Sequence, residues 1–175
     1  MKDIVKAPMY RYLMVLTIAS MVGLQTWRTL FNNFAVDVAH LQGNHIGMIQ
    51  AVREIPGFLA LLAIFVILII KEHKLSALSI FFLGAGVALT GLFPSYMGLL
   101  VTTLIMSFGF HYYETTNQSL TLQYFDREVS PWVFGKLRSY GAATNVIIGL
   151  IIFGISIFLS LSLIHISEPT RLRRI

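Results

Sequence analysis

Cysteine is absent from these 175 residues and charge is scarce, with 13 Lys and Arg and 8 Asp and Glu making up only 12% of the chain. Without thiols there is neither a disulfide framework nor a thiolate metal site, and cysteine usage says nothing of redox compartment. The shortage of charge excludes more. A soluble domain is roughly 25% charged, because polar side chains must cover its surface, and this chain has too few to do so. Also missing are a phosphate-binding glycine loop, a dinucleotide fingerprint and a metalloprotease His pair. The expectation is a protein that is no enzyme and holds no cofactor or metal.

What the chain does have is apolar length: 56% of it is hydrophobic and its mean hydropathy is +0.75. Crossing about 30 Å of hydrocarbon takes roughly 20 apolar residues, and five stretches reach that, at 12–34, 47–70, 75–93, 97–122 and 140–160. The second contains an unbroken apolar run, GFLALLAIFVILII, from Gly57. The expected fold is therefore an all-α, polytopic membrane protein of about five transmembrane helices. No compact soluble domain fits in the connections, and the first helix lacks a small-residue cleavage site, so it reads as retained. Gly84, Gly86 and Ala88, and again Gly141, Ala142 and Ala143, recur at spacings that let helices approach closely in lipid.

The net charge of +5 is explained by the membrane rather than by nucleic acid, because the basic residues sit between apolar runs and not on one soluble face. With the N-terminus inside, the cytoplasmic segments hold Lys2, Lys6, Arg11, Lys71, Lys74, Arg127, Lys136 and Arg138, and the outer loops hold no Lys or Arg. That asymmetry predicts a plasma membrane protein, in a bacterium the inner membrane, with a cytoplasmic N-terminus.

The C-terminus breaks the pattern, since a fifth crossing would deliver Arg171, Arg173 and Arg174 to the outside. LSLIHISEPTR, from Leu161 to Arg171, resembles an in-frame translation of a sequencing adapter. Residues 161–175 are accordingly expected to be a non-native tail on a truncated reading frame, in which His165, Glu168 and Pro169 carry no function.

Ionisable groups at membrane depth are costly and mark functional candidates. Arg28 and Asn32 share a face of the first helix, where Arg28 is either an outward anchor or an anion ligand. Arg53 and Glu54 precede Pro56 and Gly57, a pair that can kink the helix and free carbonyls for a ligand; an interfacial ion pair beside a packing kink is the alternative. The fourth helix carries HYYETTNQS, with His111, Glu114, Asn117 and Gln118 at helical spacing. A carboxylate buried there suits proton coupling, unless Glu114 only pairs with Arg28 or Arg53. His40 and His45 read as a solvated loop, and His73 as part of a basic turn.

The N-in topology, the polar fourth helix and the basic, glycine-spaced GKLRSYGAATNVIIG opening the fifth together resemble the N-terminal half of a major facilitator superfamily transporter, over about residues 1–160. The loop between the second and third helices keeps Lys71 and Lys74 but lacks the Gly and Asp of that family's signature. The resemblance implies a six-helix bundle, here with five, whose C-terminal half is missing. It also implies gradient-driven transport of a small solute, with H+ or Na+ as the coupling ion. In that reading Arg28, Asn32, His111 and Asn117 bind solute, and Glu114, Glu54 and Arg53 handle the ion. A non-transporting polytopic protein, such as an assembly factor or embedded enzyme, is the alternative.

Overall fold

The computed structural model describes residues 2–167, with side chains over 4–159. It is 87% helical, and no strand occurs among the described residues. A short α1 (Lys2–Lys6) leads into α2 (Pro8–Asn33), whose proline sits in the first turn, where its missing N–H costs nothing. A π turn over Phe34–Val38 ends that helix. There follow α3 (Gly43–Arg53), α4 (Ile55–Phe58), a 3-10 turn (Leu59–Leu62) and α5 (Ala63–Ile67), then α6 (Glu72–Thr90), α7 (Tyr96–Tyr124) and α8 (Ser130–Ser167).

Two differences from expectation have clear causes. The second apolar stretch is broken not only at the expected Pro56-Gly57 kink but a second time, at the 3-10 turn that follows. Pro56 has no N–H, and Gly57 donates to Glu54 O at 3.0 Å, so the ladder shortens there and again at the 3-10 turn. The fifth helix begins ten residues before the expected 140, at Ser130. Its first turn is SPW, and Ser130 Oγ donates to Phe125 O at 2.8 Å. Gly135, Lys136 and Arg138 precede the expected bound, yet all three lie exposed on α8, where a helix tolerates them, while Val133 and Leu137 are buried. Of the suspected tail, 168–175 lies outside the described residues, and over 161–167 only the helical backbone is described.

Three segments are long and apolar enough to cross a membrane: Gly43–Ile67, Glu72–Thr90 and Ser130–Leu159. Large apolar side chains face outward, Phe58 at 85% exposed and Ile69 at 87%, an exterior compatible with a membrane location. The other two long helices, α2 with 26 residues and α7 with 29, exceed the thickness of a bilayer at 1.5 Å per residue. They are less apolar because they form the inside of the bundle. α7 buries Thr102, Thr103, Ser107, Thr116 and Thr121, and most of these hydroxyls bond carbonyls one turn back.

The tightest packing is between α6 and α7, antiparallel about the Gly91–Ser95 turn. A Cβ on Gly86 would overlap the backbone of Met106, and one on Gly109 would overlap Leu83 N, so the two backbones touch. Gly84, which the sequence groups with Gly86, has open space around it.

The bundle is sided. Tyr12 donates to the carbonyl of His73, Gln123 Nε2 donates to Glu72 at 2.6 Å, and Tyr10 stacks on Trp132. These contacts gather the start of α2, the 68–74 connection and the 125–129 connection at one end, together with Lys6, Arg11, Lys71, Lys74 and Arg127. At the other end, where His45 packs on Tyr96, the 34–47 and 91–98 segments contain no Lys or Arg.

Candidate functional site

Polar residues concentrate around two cavities. The larger is a cleft of about 890 Å³ with α2 as its floor and α7 and α8 as its walls. Thr17 and Met21 come from the floor; Glu114, Asn117 and Gln118 from α7; Arg138 and Asn145 from α8. The walls stand apart because α8 packs chiefly on α2, and Gly141 permits this: a Cβ there would come within 3.2 Å of Met21 Cγ. At the basic end the cleft is closed by an apolar plug of Tyr10, Leu13, Leu120, Phe125, Val133 and Leu137.

The floor is tied to one wall by a single buried bond, Thr17 Oγ1 to Tyr113 Oη at 2.9 Å, and Thr17 also donates to Leu13 O at 2.8 Å. Thr17→Val should therefore leave the Tyr113 hydroxyl without its partner and cost about 1 kcal/mol, as interhelical hydrogen bonds in membranes do. Unfolding in mixed micelles, compared with Thr17→Ser, which keeps the hydroxyl, measures it.

The smaller cavity, about 70 Å³, lies between α2, the α3–α4 break and α7, and is lined by Arg28, Arg53, Glu54, Ser107 and His111. Arg53 and Glu54 form an ion pair at 2.5 Å, the sole one among the described residues. The Arg53 guanidinium also lies 5.5 Å from the Trp27 ring centroid, a cation–π contact. Its carbonyl, released by the break at Pro56, accepts from the Ser107 hydroxyl. Gly57 leaves room for His111, whose Cε1 would be 3.0 Å from a Cβ at that position.

No protein-family model, curated protein or solved structure matches the chain. The site is therefore read from its geometry alone.

That geometry divides the seven residues singled out in the sequence. Arg28, Arg53, Glu54 and His111 come together at the small cavity, and Glu114 and Asn117 belong to the large cleft. Glu114 forms no ion pair with Arg28 or Arg53. Asn32 is exposed and lines neither cavity. Phe110 borders both.

Arg138 and Asn145 also line the cleft and were not among the candidates read from the sequence, where Arg138 served as an orientation signal and as part of the GKLRSYGAATNVIIG run. A usable signal existed. Arg138, Gly141, Ala142 and Asn145 follow the i, i+3, i+4, i+7 spacing of a single helix face, polar at both ends and small in the middle.

Proposed function

We propose that the chain is the N-terminal part of a secondary transporter of the major facilitator type, joined in the working protein to a second bundle. A small solute would cross by alternating exposure of the cleft between α2, α7 and α8. The observation that carries this reading is the cleft itself: about 890 Å³, within the range of small-molecule sites, with charged and amide walls in a bundle whose exterior is apolar. Five crossings follow if α2 and α7 span the bilayer beside the three apolar segments. The basic end is then cytoplasmic, by the excess of Lys and Arg there, and a bacterial inner membrane suits that arrangement.

The two cavities suggest a division of labour. The cleft takes solute, and the small cavity, with one carboxylate, two guanidiniums and an imidazole, handles the coupling ion, H+ or Na+. Glu54 is its ionisable acid, and protonating it would release Arg53. The test is transport by the protein in proteoliposomes under an imposed H+ or Na+ gradient. Glu54→Gln should reduce gradient-driven accumulation between about 5-fold and 150-fold, the usual span of coupling between sites, while solute exchange without a gradient continues. Absence of both uptake and exchange would favour a non-transporting membrane protein.

A further inference from the structure

We propose that the solute of the cleft is a zwitterion, its cationic group held by Glu114 and its anionic group by Arg138. The inference rests on the transporter reading in two respects: it calls the ligand a transported solute, and it takes α7 to cross the bilayer beside α8, which puts the cleft at membrane depth.

Glu114 and Arg138 line one cleft from facing walls. They also stand level. Glu114 is ten residues before the end of α7 and Arg138 eight after the start of α8, which places them about 15 Å and about 12 Å from the 125–129 connection at 1.5 Å per residue. Yet they do not pair with each other, and among the described residues neither has an ion-pair partner within 4.0 Å. Opposite charges at membrane depth normally neutralise one another, because each costs about 2.5–3.5 kcal/mol to place there. Two left apart across an open cleft are both satisfied by a ligand that carries both signs. A ligand with one charge would leave the other wall residue uncompensated when the cleft closes.

The remaining lining agrees with a small organic zwitterion. Gln118 and Asn145 add neutral hydrogen-bonding groups, and Met21, Phe110 and Phe134 offer apolar surface to the ligand's body.

The test is equilibrium binding to the protein in lipid nanodiscs, with no gradient present. The probes are alanine, γ-aminobutyrate and alanyl-alanine, each beside its amide, which is only cationic, and its N-acetyl form, which is only anionic. At least one zwitterion should bind saturably and more tightly than both of its singly charged forms. Glu114→Gln should weaken it on the order of 10-fold to 100-fold, the loss of a hydrogen bond to a charged group, while leaving the anionic form's binding unchanged. Arg138→Gln should weaken it likewise while leaving the cationic form's binding unchanged. Glu114→Asp and Arg138→Lys, which keep the charges, should retain the preference, so misfolding of the Gln variants cannot mimic the result. Equal binding of the singly charged forms, no saturable binding of any zwitterion, or a preference indifferent to both Gln variants would overturn the proposal. Zwitterion binding without any flux would refute transport alone, and flux of a singly charged solute would refute the zwitterion alone.

Discussion

Gly109→Val should separate α6 from α7 and cost roughly 3 kcal/mol of stability, the upper part of the usual range for overpacking. The atoms in the way explain the size. A Cβ at Gly109 would meet Leu83 N, Leu83 Cα at 2.9 Å and Ser79 O at 2.5 Å, all backbone or next to it, so no rotamer change relieves the overlap. Helices in lipid gain no hydrophobic driving force from meeting; their association comes from close van der Waals packing and interhelical hydrogen bonds, which small residues make possible. Pushing the axes apart also strains the bond from Thr90 Oγ1 to Thr102 Oγ1, now 3.3 Å. Equilibrium unfolding in mixed micelles, followed by far-UV circular dichroism, measures the loss. Gly84→Ala is the control. With nothing within 4 Å of its Cβ, it should be neutral or stabilise by up to about 1 kcal/mol, the helix-propensity difference between Gly and Ala. Equal losses at both positions would mean that α6 and α7 do not cross at Gly86 and Gly109.

Ser107→Ala should cost about 1–3 kcal/mol, the penalty of a buried polar group left without its partner, and should disturb the small cavity beyond that loss. The group orphaned is not the hydroxyl but the Arg53 carbonyl. In an intact helix that carbonyl would accept from the N–H of residue 57, but Gly57 donates to Glu54 instead, at 3.0 Å, and Ser107 takes its place. Water cannot substitute readily there, since Ser107 is buried between the helices. Ser107→Thr, which keeps the hydroxyl, should restore most of the stability. Ser139→Ala removes an exposed bond within one helix, Ser139 Oγ to Gly135 O at 2.8 Å, and should stay within about 0.5 kcal/mol, as surface changes do. Because Arg53 and His111 border the same cavity, Ser107→Ala should also shift the His111 ring signals in an NMR spectrum. Unchanged signals would mean that the α3–α4 break is held by other contacts.

Much of the fold was legible because period and length are local. The apolar runs at 75–93 and 97–122 correspond closely to Glu72–Thr90 and Tyr96–Tyr124. The Pro56-Gly57 break was visible too, since a missing N–H is a property of the residue itself. The start of α8 was not. Residues 130–134 show no helix signal until Tyr10 and Leu13 are seen to supply the surface against which Val133 and Leu137 pack.

The candidate site was less legible, for the same reason. His111 and Glu114, three residues apart, looked like one functional unit, but three residues along a helix turn a side chain by about 300°, enough when helices pack on both sides to direct the two toward different neighbours. His111 meets Gly57 and borders the small cavity with Arg53 and Glu54, whereas Glu114 lines the large cleft together with residues of α8. Sequence spacing states which residues share a face and is silent on what that face meets.

By itself, the sequence determined the helical, lipid-facing character of the chain and the sided placement of its basic residues, because hydropathy and charge are summed over residues and need no partner. Only the tertiary structure decided that Gly86 and Gly109, and not Gly84, carry the helix crossing, and that Arg138 and Glu114 line one cleft. Those are relations between segments far apart in the chain, and they exist only once packing has chosen which faces meet.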